Sequence, residues 1–502
     1  MRQKRFVLNT TSSLLYQAAT MIYGFILPAL ILQHFGSEVN GLVNSIRHFL
    51  GFISFLNLGV GAVVQSALYK PLANKDGNEI NKIMTSAARF HKLIATVLVV
   101  YVILLMVFFP GLSHISFGHW YTASLIFVIS ISSFAEYYFG IIDGLFLNAD
   151  QRGYIQYFSL MTAQIVNMIL CIVLIKNGAS IHLVKLTTSL VFLLKPIVQR
   201  IYISRHYNID RRVKYNEEPL EQKWNGVAQH IAAVVLDGTD TIILTVFSTM
   251  FSVSIYSVYS IVISAVKQLF ISLTHGIRSL LGELWAKQEI ETLDSTFSWI
   301  EWSIHTATTF IFGCTASLIV PFVLVYTKGV DDANYDVPKF ALLITVAYGV
   351  YCLSLPYQNM ILAGNHYKQT QVYYMLAALI NVVVSVGTVR AFGLVGVAIG
   401  TLTAMVFQIG WESVYISRNL IRWPLKKTLK QIVLDAIVFI LSIILTGLIQ
   451  RSPDNYIDWV LLAIPKAFIW FAVILIVNCI AYRSNILILG HRLLAIFNRR
   501  RM

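Results

Sequence analysis

A chain of 502 residues, 57% hydrophobic and only 12% charged, has about half the charge content of an ordinary soluble domain, which runs near 25%. Its net charge of +14 would point to nucleic acid in a soluble protein. Here the basic residues sit between long apolar runs, so they read as the positive-inside signature of a membrane protein and not as a nucleic-acid surface. No metal-ligand set or nucleophile constellation is present. The glycine-containing stretch Leu58 to Ala62 lacks the Lys-Ser/Thr ending of a phosphate loop. The sequence therefore predicts neither an enzyme nor a resident metal or cofactor.

The apolar runs, each long enough to cross roughly 30 Å of hydrocarbon as a helix, fall at about 8–33, 42–69, 90–112, 119–146, 155–176, 180–202, 225–248, 251–277, 300–327, 338–362, 368–389, 393–417, 432–450 and 457–481. They show no period-2 alternation, which excludes a β-barrel, and a helix satisfies its own backbone hydrogen bonds in lipid. The reading is an all-α polytopic membrane protein of about 14 transmembrane helices. No A-x-A cleavage site follows the first run, so it is taken as a retained span. Arg2, Lys4 and Arg5 start the chain inside. The even-numbered connections then carry most of the 38 Lys and Arg, which puts both termini in the cytoplasm. Cys171, Cys314, Cys352 and Cys479 lie within apolar runs without CxxC spacing and read as small packing residues.

The longest soluble stretch, about 203–223, is charged and central, and it reads as a linker between halves. An internal repeat supports this. Gly144-Leu-Phe-Leu-Asn-Ala-Asp-Gln-Arg-Gly-Tyr154 closes span four as Asn359-Met-Ile-Leu-Ala-Gly-Asn-His-Tyr-Lys-Gln369 closes span ten. Tyr202-Ile-Ser-Arg205 and Tyr415-Ile-Ser-Arg418 close spans six and twelve. The expected organisation is a six-helix lobe over 1–205, a cytoplasmic linker over 206–223, a second six-helix lobe over 224–418, helices 13 and 14 over 419–482, and a basic tail over 483–502. The tail, apolar on one face, is expected to lie on the membrane surface. Repeated halves rocking about a central site are the usual transporter plan.

An ionisable residue inside a span costs at least about 2.5–3.5 kcal/mol at a helix centre, and so marks a functional candidate. In chain order these are Arg47 in span two, Glu136 and Asp143 on one stripe of span four, Asp237 and Asp240 on one face of span seven, and Lys267 and Arg278 about three turns apart on span eight. The four carboxylates are either an ion-coupling site, for proton or sodium, or interhelical pairs. Lys195 and Lys466 are expected to snorkel, and His230 and His305 to be packed histidines. Pro28, Pro321 and Pro356 are weak candidates for bending points.

Several segments resemble the polysaccharide transporter family, the Wzx-like lipid-linked oligosaccharide flippases of the MOP superfamily. They are Phe35-Gly-Ser-Glu-Val-Asn-Gly-Leu42, Leu58-Gly-Val-Gly-Ala62, Leu147-Asn-Ala-Asp-Gln-Arg-Gly-Tyr154, Thr239-Asp-Thr-Ile-Ile-Leu244 with Ser254-Ile-Tyr-Ser-Val-Tyr259, and Phe392-Gly-Leu-Val-Gly-Val-Ala-Ile-Gly-Thr401. The resemblance implies two six-helix lobes in a V plus two extra C-terminal helices, alternating access, and a cavity lined by spans one, two, seven and eight. It implies a bacterial cytoplasmic membrane location, a lipid-linked oligosaccharide substrate for capsule, exopolysaccharide or other surface glycan assembly, and polymerase and glycosyltransferases of the same pathway as partners beside membrane lipids. A flippase for such lipids needs cations for pyrophosphate, and Arg47, Lys267 and Arg278 are the substrate-binding candidates.

The alternative is a MATE-like cation-coupled multidrug exporter. Such exporters typically use a carboxylate in the N-terminal lobe, often in span one, and Leu8 to Leu32 has none. A membrane-embedded polymerase would need a large outer loop, and Thr327 to Val337 is too short.

Overall fold

The computed structural model describes residues 2–53, 58–113, 116–215, 218–220, 238–421 and 423–487. Among these there is no strand. The helices are α1 (Arg2–Gly51), α2 (Leu58–Asn74), α3 (Gly77–Leu112), α4 (His119–Ala135), α5 (Ile141–Ala149), α6 (Tyr154–Lys176), α7 (Ile181–Phe192), α8 (Leu194–His206), α9 (Gly238–Phe247), α10 (Met250–Ala286), α11 (Ile290–Tyr326), α12 (Pro338–Ala363), α13 (Tyr367–Phe392), α14 (Leu394–Asn419), α15 (Leu425–Gly447) and α16 (Tyr456–Ala481). Eleven of the described helices are long and apolar enough to cross a membrane, or twelve when a bent pair is taken as one span.

Several helices carry the apolar surface expected of lipid contact. Leu429, Val433, Ile437, Ile440 and Ile444 form one exposed stripe along α15, at the i, i+4, i+8 spacing of a single helix face. The opposite face, Thr428, Gln431, Asp435, Ser442 and Thr446, is buried. In water this would be inside out; in lipid the polar stripe must turn inward to find hydrogen-bond partners. The chain is a multi-pass membrane protein.

Two predicted spans differ in form from their expected continuous runs. The run 42–69 falls partly in α1 and partly in α2, with residues 54–57 between them outside the described set. α1 is itself two helices, joined at Gly36 (φ 81, ψ 174). At that joint the carboxylate of Asp332 accepts from the Ser37 amide (2.6 Å) and the Ser37 hydroxyl (2.5 Å). It thereby caps the amides of the helix that restarts there. The run 225–248 lies mainly outside the described residues, and α9 is its end. Span four is bent by 43°. The bend is a π-helical turn, Glu136–Gly140, between α4 and α5, a common device at functional or strained positions. The helices run on through Pro28, Pro321 and Pro356.

The repeat is visible in the backbone. Among the described residues, the non-glycine residues with positive φ are Lys75, Gln151, Gln288 and Asn365. Each ends a helix, and the pair Lys75 and Gln151 recurs as Gln288 and Asn365 at nearly constant separation along the chain. The next amide closes the turn in each case: Asp76 to Pro71, Arg152 to Leu147, Glu289 to Leu284 and His366 to Ile361. This is Schellman-type helix termination. The side chains match as well. The Arg152 guanidinium donates to the Tyr202 hydroxyl (2.6 Å), and His366 Nδ1 lies 2.8 Å from the Tyr415 hydroxyl.

The chain divides into two compact units: residues 1–257 with 329–333, and residues 258–328 with 334–502. The first has a continuous apolar core that includes Leu42, Ile46, Leu68, Leu98, Phe109 and Phe146. The described part of the linker lies along this unit. Asp210 N donates to Asn81 (3.1 Å), Arg89 sits over the Tyr215 ring at 4.9 Å, and Tyr207 donates to Asp150. Burial, with Asp150 beside it, raises the Tyr207 hydroxyl well above its ordinary pKa.

Candidate functional site

In the first unit, α1, α6 and α7 share a polar seam. Thr20 and Gln164 exchange hydrogen bonds (3.3 and 3.0 Å). Asn167 donates to the Tyr23 hydroxyl (2.9 Å) and accepts from the Cys171 thiol (3.4 Å), which lies 3.6 Å from Thr188. Gln164, Asn167 and Cys171 are spaced i, i+3, i+7 on α6, so a single helix face presents them. Cys171 is thus a member of a polar ladder as well as a buried packing residue.

Two cations meet this seam. Lys185, on α7, is 7% exposed. Arg47, near the end of α1, is close enough to act electrostatically on both Lys185 and Tyr23. Among the described residues, no carboxylate forms an ion pair with either cation. Arg47 is exposed and Lys185 is not; a buried ammonium with a second cation nearby is disfavoured by desolvation and by repulsion, and an anion beside it offsets both. Sequence reasoning found Arg47 and missed Lys185, which lies near the start of its predicted span, where a cation can snorkel. Its isolation between apolar residues of α7 was the available signal.

The second unit places Lys267, on α10, over the rings of Tyr348 (5.0 Å) and Tyr351 (5.5 Å) of α12. Arg278, exposed on α10, donates to the Tyr367 hydroxyl and lies 5.7 Å from that ring. Both cations are therefore held by aromatic faces.

The three predicted carboxylates among the described residues have partners. Glu136, in the π-turn, pairs with Lys195, so Lys195 is an ion-pair member and not simply a snorkelling residue. Asp143 is fully buried, pairs with Arg211 and lies 3.9 Å from Arg200. Burial lowers the Arg211 pKa, and Asp143 opposes that shift. Asp240 accepts from the Tyr256 hydroxyl (2.9 Å), bringing together two segments that carry the family resemblance. Asp237 and His230 lie outside the described residues. Lys466 is buried on α16 and donates to the Ser317 carbonyl (3.2 Å).

The pairing around Asp143 makes a prediction. Asp143→Asn strips Arg211 of its charge partner, and breaking such a buried pair costs about 3 kcal/mol. The thermal transition of the purified protein in detergent should fall. Asp143→Leu combined with Arg211→Met should recover most of the loss, because neither charge is then left uncompensated.

A search of solved structures places this architecture. The lipid II flippase MurJ in an inward closed conformation matches with a TM-score of 0.70 at 17% identity, covering 94% of this chain and 100% of that one. The chain shares the fold of that protein. An inward-facing multidrug resistance MATE family transporter of the MOP superfamily matches with a TM-score of 0.57 at 16% identity, over 80% of this chain and 94% of that one. A Vibrio cholerae MATE transporter, VcmN in the bent form, matches at 0.53 and 11% identity, over 81% and 97%. These neighbours are described as a flippase and as transporters. A scan of family models and a search of curated proteins found no match.

Proposed function

We propose that this chain is a flippase that carries polyprenyl-pyrophosphate-linked oligosaccharide across the cytoplasmic membrane for surface glycan assembly, by alternating access. The observation that carries the reading is Lys185, buried among membrane helices, with the exposed Arg47 close enough to act on it and, among the described residues, no carboxylate paired with either. A cationic drug would be repelled there, whereas a pyrophosphate would supply the missing negative charge, with Arg offering a bidentate fork and Lys a point charge. Lys267 with its two tyrosines, and Arg278 with Tyr367, suit a sugar-phosphate head group, since aromatic faces pack on sugars and cations on phosphate. The similarity to a protein described as a lipid II flippase supports the lipid-flipping part of this reading.

The proposed organisation is two six-helix lobes, 1–205 and 224–418, followed by two further helices, with fourteen spans in all and both termini cytoplasmic. Partner polymerases and glycosyltransferases follow from the same reading. Glu136, Asp143 and Asp240 act as interhelical pairing groups, each with the partner given above.

Deleting the gene and analysing cellular lipids tests the proposal. Polyprenyl-pyrophosphate oligosaccharide should accumulate on the inner leaflet. Unchanged glycolipids with new sensitivity to cationic drugs would instead indicate the multidrug exporter, whose fold this chain also matches.

A further inference from the structure

The second unit buries a titratable chain that no substrate role accounts for. On α11, Glu301 is 4% exposed and His305 is fully buried; on α12, Tyr357 is fully buried; on α15, Asp435 is 8% exposed. His305 Nδ1 lies 2.7 Å from Asp435 Oδ2, and its Nε2 lies 3.4 Å from the Tyr357 hydroxyl. Tyr357 in turn donates to Glu301 Oε1 at 2.5 Å. His305 is thus one link of a four-residue chain across three helices.

The proton count of this chain is not fixed by its neighbours. Asp435 Oδ1 already accepts from Thr309 (3.0 Å) and Gln431 (3.2 Å). Glu301 Oε1 accepts from Thr428 (3.0 Å), whose own oxygen accepts from the Trp423 indole (2.9 Å). The surrounding donors thus converge on the two carboxylates. Tyr357 has one proton, and spending it on Glu301 leaves its oxygen only as an acceptor for His305 Nε2. With both His305 nitrogens donating, the chain carries one net negative charge. With neutral His305 it carries two. In a low-dielectric interior either state favours uptake of a further proton, which Glu301 Oε2 can bear.

Other charged or titratable groups on the packed elements are engaged elsewhere, exposed, or, as with Asp294, set apart along their helix. Lys427 lies over the Trp423 ring at 4.7 Å, and Lys430 donates to the Ala481 carbonyl and lies over Tyr482 at 4.4 Å. Glu412 of α14 is bonded to Gln408 (3.0 Å). Lys466 of α16 is taken by Ser317, about three turns further along α11. Asp294 lies about two turns before Glu301 on α11, at the helix's charged end. Tyr482 feels both Glu301 and Asp435.

We infer that the Glu301–Tyr357–His305–Asp435 chain is a proton-binding site that takes up and releases one proton, and that α15 reports its occupancy to α11. The reaction is a simple exchange: a proton from the adjoining solution binds a carboxylate oxygen or His305 and later returns. α15 contributes Asp435, Thr428 and Gln431, so its polar stripe is half of the site, which gives the C-terminal helix pair a role beyond packing. That the exchange drives transport rests on the function proposed above.

The test is an infrared pH titration of the purified protein in lipid nanodiscs, with an intact thermal transition required of each variant. A protonated-carboxyl stretch should appear and vanish with one proton across the titration. Glu301→Gln or Asp435→Asn should abolish it or move its midpoint by more than one unit, and Tyr357→Phe should shift it while leaving both carboxyls present. No titrating carboxyl in the wild-type protein, or unchanged titration in all three variants, overturns the proton site. Because this readout needs no substrate, it stands or falls separately from the lipid analysis of the deletion strain. The driving role is overturned by Glu301→Gln cells that make wild-type amounts of surface glycan; an output reduced at least tenfold at normal protein level supports it.

Discussion

Lys185→Met is expected to lower transport at least tenfold while raising the thermal stability of the protein. The two effects share one cause. Lys185 is 7% exposed, faces another cation in Arg47, and has no carboxylate to offset its desolvation among the described residues. Removing a buried, uncompensated charge of similar volume relieves that cost, so the detergent melting temperature should rise. The anion that would have balanced the charge loses a partner at the same time. Loss of a desolvated charge contact costs about 2 kcal/mol or more, which is more than the tenfold step of about 1.4 kcal/mol. Arg47→Ala should reduce transport likewise, and Lys267→Ala should lower glycan output through the second unit, each at unchanged membrane protein level. Full glycan output from Lys185→Met and Arg47→Ala together would remove both residues from the substrate path. A fall in stability with Lys185→Met would mean that the ammonium is a structural donor.

Gly400→Leu is expected to yield no folded protein. α14 packs on α13 through Gly396 and Gly400, four residues apart on one face, the small-xxx-small pattern that lets membrane helices approach closely. A Cβ at Gly400 would stand 2.0 Å from Ser385 Oγ and 2.7 Å from the Ser385 backbone nitrogen. At Gly396 it would meet the Thr388 carbonyl at 2.5 Å. Backbone atoms cannot move aside as a side-chain end can, so even Gly400→Ala should cost about 3 kcal/mol, the upper end of ordinary overpacking. The close approach also carries polar contacts: Thr388 donates to the Gly396 carbonyl (2.8 Å), and Asn381 to Thr401 (3.1 Å). Gly410→Ala is the control, because nothing lies within 4 Å of its added carbon. Yield and melting temperature in detergent give the answer. Wild-type behaviour of Gly400→Leu would show that the two helices do not need this contact.

Much of the helix plan was legible because hydropathy is a local property. The predicted ends of spans five, ten, eleven and twelve fall within a few residues of the ends of α6, α12, α13 and α14. The repeat was legible in its helix-end residues, and the structure adds the reason: the same left-handed termination at Gln151 and Asn365, each followed by a residue that meets an equivalent tyrosine. That α1 stops at Gly51 was not legible, because the residues there are as apolar as those of a continuous span. The restart at Gly36 depends on Asp332, which lies far along the chain.

Composition and pattern by themselves determined that this protein lives in a membrane, that its spans are helical and which residues in them are charged. An apolar run and an intramembrane charge are read from neighbours in sequence. What each charge does was decided only by tertiary structure. Glu136 meets Lys195, Asp143 meets Arg211, and Lys185 feels Arg47 with no carboxylate paired to it among the described residues. His305, isolated in the sequence, meets Asp435 and Tyr357. The energy of a buried ion depends on what stands within a few ångströms of it, and in a helical membrane protein those atoms come from other helices.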